Sequence, residues 1–318
     1  MAQNYDARDF ATFRNTENFD EAQSAFLARQ LTYIRGQVMQ VKKATLNAFN
    51  VFPVQTDIPS GAETAIQRVY DSIGTAEIIS NWGDDLPRVD ILAQENAVSV
   101  KMVGDSYGFN IREVQNAAYA GLDLSAAKGR AAKYAIDAKL NQIAWYGDKA
   151  HHIIGFLDNP NISEYTLKND GTGSSTALKD KTEEQVFRDL NGLLETIADA
   201  TNQQEQANTL LLAPAAYTFL AEKRLGDTQT TYLNFFKSIH PELSSIRKVP
   251  ELKGAGEGGK DLMVAGFFDP AYVKFEIPIR LDQRPAQYRN LEYIIPCIAS
   301  TAGVTVIMPF AFAKAVGA

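Results

Sequence analysis

Apolar residues along the chain recur with different periods, and the periods predict the elements. Leu27, Leu31, Ile34, Val38 and Val41 recur at steps of four and three, which puts them on one stripe of a helix predicted over residues 20–47. Asp20 and Glu21 near its start and Lys42 and Lys43 near its end suit the helix dipole. The stripe either packs into the chain's own core or docks on a neighbouring copy, and it is too short for an independent coiled coil. From Val51 to Ala118 the pattern turns β-rich. Thr64–Asp71 alternates in part, and Val98, Val100 and Met102 alternate with Ser99 and Lys101. Between them, residues 78–90 hold Asn-Trp-Gly-Asp-Asp and Leu-Pro, which are turn and breaker signals. Two long strands joined by a wide excursion are predicted. Such a protruding pair is marginal alone in water and needs another surface to lie on. Trp82 near the tip either anchors to that surface or is buried in its own subunit.

A second long helix is predicted from Ser125 to Tyr146, capped by Asp123 or Ser125 and ended by Gly147 and Asp148. It is crowded with alanine, and Ile136, Leu140 and Ile143 form its larger face. Beyond it lie a Gly/Ser loop over Leu167–Lys181 and a helix over Thr182–Ala200, opened by a capping box with Gln185 at its third position. A buried strand Thr209–Ala213, a helix from Ala215 to Lys223 behind Pro214, and a Gly-rich surface loop Glu251–Lys260 follow. Strands are expected at Leu262–Ala265, Tyr272–Ile279, Tyr293–Ile295 and Val304–Met308, the last two parted by Ala302-Gly303. Residues 1–18 are polar and read as an arm, mobile or ordered by a partner.

Composition narrows the function classes. At 318 residues, 45% hydrophobic, the chain can bury a sizeable core. No apolar run is long enough to span a bilayer, and the start, MAQNYDARDF, carries no basic-then-apolar leader, so neither a membrane span nor a signal peptide is expected. A net charge of −7 without a basic block disfavours direct coating of phosphate, although a wall that surrounds nucleic acid need not neutralise it. His151 and His152 are adjacent and cannot share a helix face, so no metal site is expected. Cys297, the single cysteine, sits among Ile294, Ile295 and Ile298 and reads as a buried, inert thiol. Gly171-Thr-Gly-Ser-Ser lacks the Gly-Lys-Ser/Thr ending of a phosphate loop. No catalytic residues and no cofactor are assigned, and an enzyme is not expected.

The order of parts resembles the tailed-bacteriophage major capsid protein, with the Hong Kong 97-type shell fold. That order is an arm, a protruding β-loop, an alanine-rich helix, a mixed α/β region and closing strands. Residues 131–148 (AAKYAIDAKLNQIAWYGD) followed by Ile154-Gly-Phe-Leu-Asp-Asn-Pro-Asn161 resemble the junction after that family's long helix. Glu292-Tyr-Ile-Ile-Pro296 and residues 301–309 (TAGVTVIMP) are similar to its closing strands. The resemblance implies an α+β fold with an N-terminal arm and helix (residues 1–50), an extended loop (51–100), a peripheral domain with a spine helix (101–162 and 266–318) and an axial domain (163–265). It further implies hexamers and pentamers tiling an icosahedral head around double-stranded DNA, in a virion assembled in the host cytoplasm. The implied partners are a separate scaffolding protein, a portal and a decoration protein. The chain's copies would meet through Leu27, Leu31 and Ile34 on the first helix and Arg68, Trp82 and Arg88 on the extended loop. Relatives that crosslink use a lysine in this loop; here none lies between Lys43 and Lys101, so no such crosslink is expected. An encapsulin-like nanocompartment shell and a soluble α/β enzyme are the competing readings.

Overall fold

The computed structural model describes residues 43–75, 88–120 and 124–317. The predicted first helix lies outside the described residues up to residue 42, including Leu27, Leu31 and Ile34, and residues 43–47, its expected end, are not helical; the tip with Trp82 also lies outside the described residues. The described chain opens with a short helix α1 (Ala48–Val51) and a two-residue strand β1 (Val54–Gln55). A long ribbon follows, β2 (Thr64–Ile73) and β3 (Asp90–Ser99), and then β4 (Lys101–Asn110), α2 (Ile111–Ala120) and the long helix α3 (Leu124–Tyr146). A tight hairpin, β5 (Gly147–Asp148) with β6 (Ile153–Ile154), leads through β7 (Ser163–Tyr165) to α4 (Glu183–Ala200), β8 (Thr209–Leu212), α5 (Pro214–Glu222), α6 (Tyr232–Ile239) and β9 (Ser245–Lys248). The chain closes with β10 (Leu262–Gly266), β11 (Val273–Glu276), β12 (Ile279–Gln283), β13 (Gln287–Arg289), β14 (Glu292–Thr301), β15 (Gly303–Val306) and β16 (Phe312–Val316).

A five-stranded sheet ordered β7-β16-β10-β8-β9 is the wall between two cores. Its middle strands are apolar on both faces because both faces are covered. On β10, Leu262 and Val264 join one core while Met263 and Ala265 join the other. On β8, Leu211 faces the first, and Leu210 and Leu212 the second. Strand periodicity of two does this sorting, and a one-residue slip would exchange the two cores' side chains. The second core is closed by α4, whose Val186, Leu190, Leu193 and Ile197 form one buried stripe, and by Leu220 and Phe236 of α5 and α6. The first core is closed by α3, which lies across β4, β14 and β15 and buries Ile136, Leu140 and Ala144.

Several expected boundaries move. The alternation through Val98–Met102 is not one strand: β3 ends at Ser99 and β4 begins at Lys101, because β3 pairs with β2 while β4 pairs along its full length with β14. The β-rich reading of the stretch ends early, since Ile111–Ala120 is helical, started by Asn110 Oδ1 accepting the Arg112 N–H at 3.0 Å. Tyr272–Ile279 splits into β11 and β12, which belong to different sheets. The 251–260 loop is not simply surface, since Leu252 within it is fully buried. Thr182 does start α4 as its spacing predicts, with Gln185 Oε1 accepting the Thr182 N–H at 2.9 Å.

The turn after α3 explains its glycines. Gly147 has φ +69°, and a Cβ there would sit 2.3 Å from Ile153 O; a Cβ on Gly155 would sit 2.2 Å from Gly147 N. The two backbones touch, so neither position has room for a side chain. Asp148 then accepts from Ala150 N–H, and Asn159 Oδ1 accepts the Asn161 N–H at 3.0 Å, closing an Asx turn. Gly155→Ala is expected to lower unfolding free energy by about 3 kcal/mol, through overpacking against backbone. Urea denaturation followed by tryptophan fluorescence checks this; an unchanged midpoint would show that the turn can open.

Candidate functional site

Two features separate this molecule from a self-contained globular domain, a ribbon with no partner sheet and a root that is clamped hard. In the ribbon β2 and β3 pair in register over their whole length, from Thr64 opposite Ser99 to Ile73 opposite Asp90. They form a two-stranded sheet with no third strand among the described residues. One face carries Thr64, Ile66, Arg68 and Tyr70 opposite Ser99, Ala97, Glu95 and Ala93. Ile66 is 61% exposed and Tyr70 65%, and Ile91 and Leu92 are also more than half exposed. Exposed large apolar side chains on a two-stranded ribbon are unusual for a lone globular domain.

Arg68 lies in the middle of that face, but its Nε already meets Glu95 Oε1 at 2.8 Å across the strands. Both side chains are largely exposed, so the pair is worth about 0–1 kcal/mol and serves mainly to fix strand register. Arg88 is exposed just before β3. The sequence pattern singled out Arg68, Trp82 and Arg88 and passed over Ile66, Tyr70, Ile91 and Leu92. Ile66 and Tyr70 could have been found, since they share strand parity with Arg68. A second exposed apolar group sits at the β13–β14 turn: Tyr288 and Tyr293 lie 5.0 Å apart beside the exposed Leu291.

The root is held by polar and aromatic contacts. Glu251 accepts from Asn47 N (3.1 Å), Asn47 Nδ2 (2.8 Å) and Asn141 Nδ2 (3.0 Å). Asn141 Oδ1 in turn accepts the Ala48 N–H at 2.8 Å. These bonds tie the start of α1 to the middle of α3 and to the loop before β10. Beneath them, Phe52 packs on Trp145 (4.8 Å between centroids) and on Phe156 (5.0 Å). Arg280 stacks over Phe49 at 4.7 Å.

The titratable groups are engaged in structure. Lys181, with a fully buried side chain, bonds Asp189 and donates to Lys168 O at 2.8 Å. Arg188 bonds both Asp189 and Asp170 and so pins the 168–181 loop to α4. The Arg188 guanidinium holds the Asp170 carboxyl below its usual range. His151 meets Asp148 at 3.1 Å, and His240 lies between Glu242 and Asn191. The buried Cys297 thiol is pushed up by burial. No group of three or more metal-ligand side chains occurs among the described residues.

A walled double core, a long helix across one sheet and an uncovered ribbon define a subunit built to assemble into a shell, of the Hong Kong 97 type. The chain belongs to the major capsid protein family, whose model matches residues 74–317. It is a structural protein of a capsid made of repeated copies, and not an enzyme. Among solved structures it is similar to the capsid of Myoviridae phage XM1, with TM-score 0.80 and 14% identity over 93% of this chain and 99% of that one. It is also similar to the capsid of an empty GTA particle, with TM-score 0.65 and 9% identity over 93% and 99%. A virus-like particle from Pyrococcus furiosus matches at TM-score 0.52 and 13% identity, over 84% of this chain and 90% of that one. No curated protein matches the chain at a significant level.

Two substitutions test the clamp and the ionic loop. Glu251→Ala leaves three donors without their acceptor and is expected to cost about 2–3 kcal/mol of unfolding free energy in urea. Asp170 has a depressed folded pKa, so its stabilisation is complete above the unfolded carboxyl value and is lost as pH falls through the folded one. Asp170→Asn should therefore flatten the decline of the urea midpoint below about pH 4. A decline as steep as in the parent chain would assign acid sensitivity to other carboxylates.

Proposed function

We propose that copies of this chain form hexamers and pentamers that close into an icosahedral phage head around double-stranded DNA. Each ribbon would lie over an adjacent copy. The observation that carries this reading is the ribbon itself, a two-stranded element that exposes Ile66 and Tyr70 in a molecule with two complete cores of its own. In this reading residues 51–100 are the extended loop, and residues 101–162 with 266–318 are the peripheral domain with α3 as its spine. Residues 163–265 are the axial domain, with the 251–260 loop near the capsomer axis and Glu251 at its foot. Residues 1–50 supply the arm and a helix that meets neighbours through Leu27, Leu31 and Ile34, and Trp82 and Arg88 add to the ribbon's contacts. The similar GTA capsid was computed with C5 symmetry, which suits fivefold rings here as well. A net charge of −7 suits a wall that encloses DNA without gripping it. Assembly takes place in the host cytoplasm with a separate scaffolding protein and a portal, and a decoration protein joins the finished shell. Non-covalent contacts hold the shell, since no lysine lies between Lys43 and Lys101 to crosslink the extended loop.

The test uses Ile66→Asp with Tyr70→Asp. Both residues are exposed, so each change should alter subunit stability by less than about 0.5 kcal/mol. Negative-stain electron microscopy of material expressed with its scaffold is expected to show closed shells for the parent chain. For the double variant it should show only free subunits or open rings. Closed shells of normal size from the double variant would remove the ribbon from the assembly contact.

A further inference from the structure

The ribbon leaves the body through a weak joint. Strand β1 is two residues long and pairs in parallel with β11, Val54 opposite Phe275 and Gln55 opposite Glu276. The joint is made by Phe275 N–H to Pro53 O at 2.8 Å and Ile277 N–H to Gln55 O at 2.9 Å. These two bonds flank Glu276. That residue is only 8% exposed, and its Oε2 finds no hydrogen-bond partner among the described residues. A buried carboxylate without donors is costly when charged.

The groups around it compensate only in part. Thr305 on β15 is the neighbouring hydroxyl, opposite Lys274 in the ladder, but its Oγ1 also lacks a hydrogen-bond partner. Lys274, on the same strand, attracts the charge, while Asp57, just beyond β1, repels it. Asp57 is held near the joint by Gln55 Nε2, which donates to its Oδ2 at 3.0 Å. Burial pushes the Glu276 carboxyl up from 4.5, Thr305 and Lys274 pull it back, and Asp57 adds to the rise.

We propose that Glu276 is a latch at the ribbon's root, closing the β1–β11 joint when protonated and loosening it when ionised. Its folded pKa lies above the unfolded value, so the stabilisation is complete below the ordinary carboxyl range. It is lost as pH rises to the folded value. The joint is the part that yields, because β1 is only two residues long and opening it lets water reach the carboxylate. The ribbon starts at Thr64, so the freedom of β1 sets the angles at which the ribbon can reach a neighbour. The latch rests on the shell reading only for that last consequence.

Hydrogen–deuterium exchange of the full chain, read by mass spectrometry at stepped pH and corrected for intrinsic exchange, tests it. In a peptide covering residues 272–278, whose Phe275 and Ile277 N–H groups donate the two bonds, protection should fall by up to about tenfold per pH unit above the ordinary carboxyl value and then level off. Glu276→Gln should keep protection high and flat across the same range. Asp57→Asn should lower the pH at which the fall levels off, and it decides the matter if Glu276→Gln does not fold. Protection that is independent of pH in the parent chain, or that changes with pH identically in both variants, would overturn the latch.

Discussion

The aromatic cluster around Phe52 is the contact on which the other features depend. Phe52 reaches it from the ribbon's root, Trp145 from the end of α3, Phe156 from the turn beyond, Phe312 from β16, and Phe268 from the loop after β10. Tilted and edge-on ring pairs of this kind add about 0.5–1.5 kcal/mol each beyond the area they bury. Segments far apart in sequence converge there, so the ribbon's point of departure, the spine helix and the sheet wall share one reference point. The Glu251–Asn141–Asn47 bonds sit over this cluster and fix the direction of the backbone leaving it. These contacts hold the chain only as far as Phe52, and the two-residue strand β1 lies between them and the ribbon, which starts at Thr64.

The spine helix and the turn after it were legible in the sequence for a physical reason. Alanine-rich helical periodicity with Ile136, Leu140 and Ile143 on one face has no competing explanation, and Gly147-Asp148 gave the stop. The capping box at Thr182 and Gln185 was equally local. What local pattern could not show was the break between β3 and β4 at Val100, because alternation continues across it while the partner strand changes from β2 to β14. The split of β11 from β12 is of the same kind. Helix α6 was passed over although Tyr232, Phe235, Phe236 and Ile239 stand at helical spacing, because the pattern lasts only about two turns and Leu233 falls off the stripe.

For the candidate site, sequence pattern located the strand pair but not the exposed side chains it carries. A strand pair around turn signals pointed to a projecting ribbon. Its charges drew attention because charge is conspicuous in sequence, yet Arg68 is occupied within the ribbon by Glu95. The exposed apolar side chains are Ile66, Tyr70 and Ile91 on one face and Leu92 on the other, and in sequence they look like core residues of a strand. Only the absence of a covering layer in the described structure distinguishes them. Glu251 was hidden by a similar ambiguity, since it opens a Gly-rich stretch that reads as exposed while its carboxylate organises the root.

The folding of the subunit and the building of the shell are thereby assigned to different residues. Two cores separated by a doubly covered sheet make the subunit stable on its own terms, and the ribbon's apolar face contributes little to that stability. A stable interface typically buries about 1,600 Å², and a ribbon of this length, together with the Tyr288–Leu291–Tyr293 turn, offers apolar surface at separate edges of the molecule. Contacts between unlike patches are heterologous, and heterologous contacts make rings only where the rotation closes. Closure into rings of different size then requires a hinge between the rigid body and the contact surface. The short joint between β1 and β11, where the buried Glu276 Oε2 has no hydrogen-bond partner among the described residues, is the place proposed for that hinge.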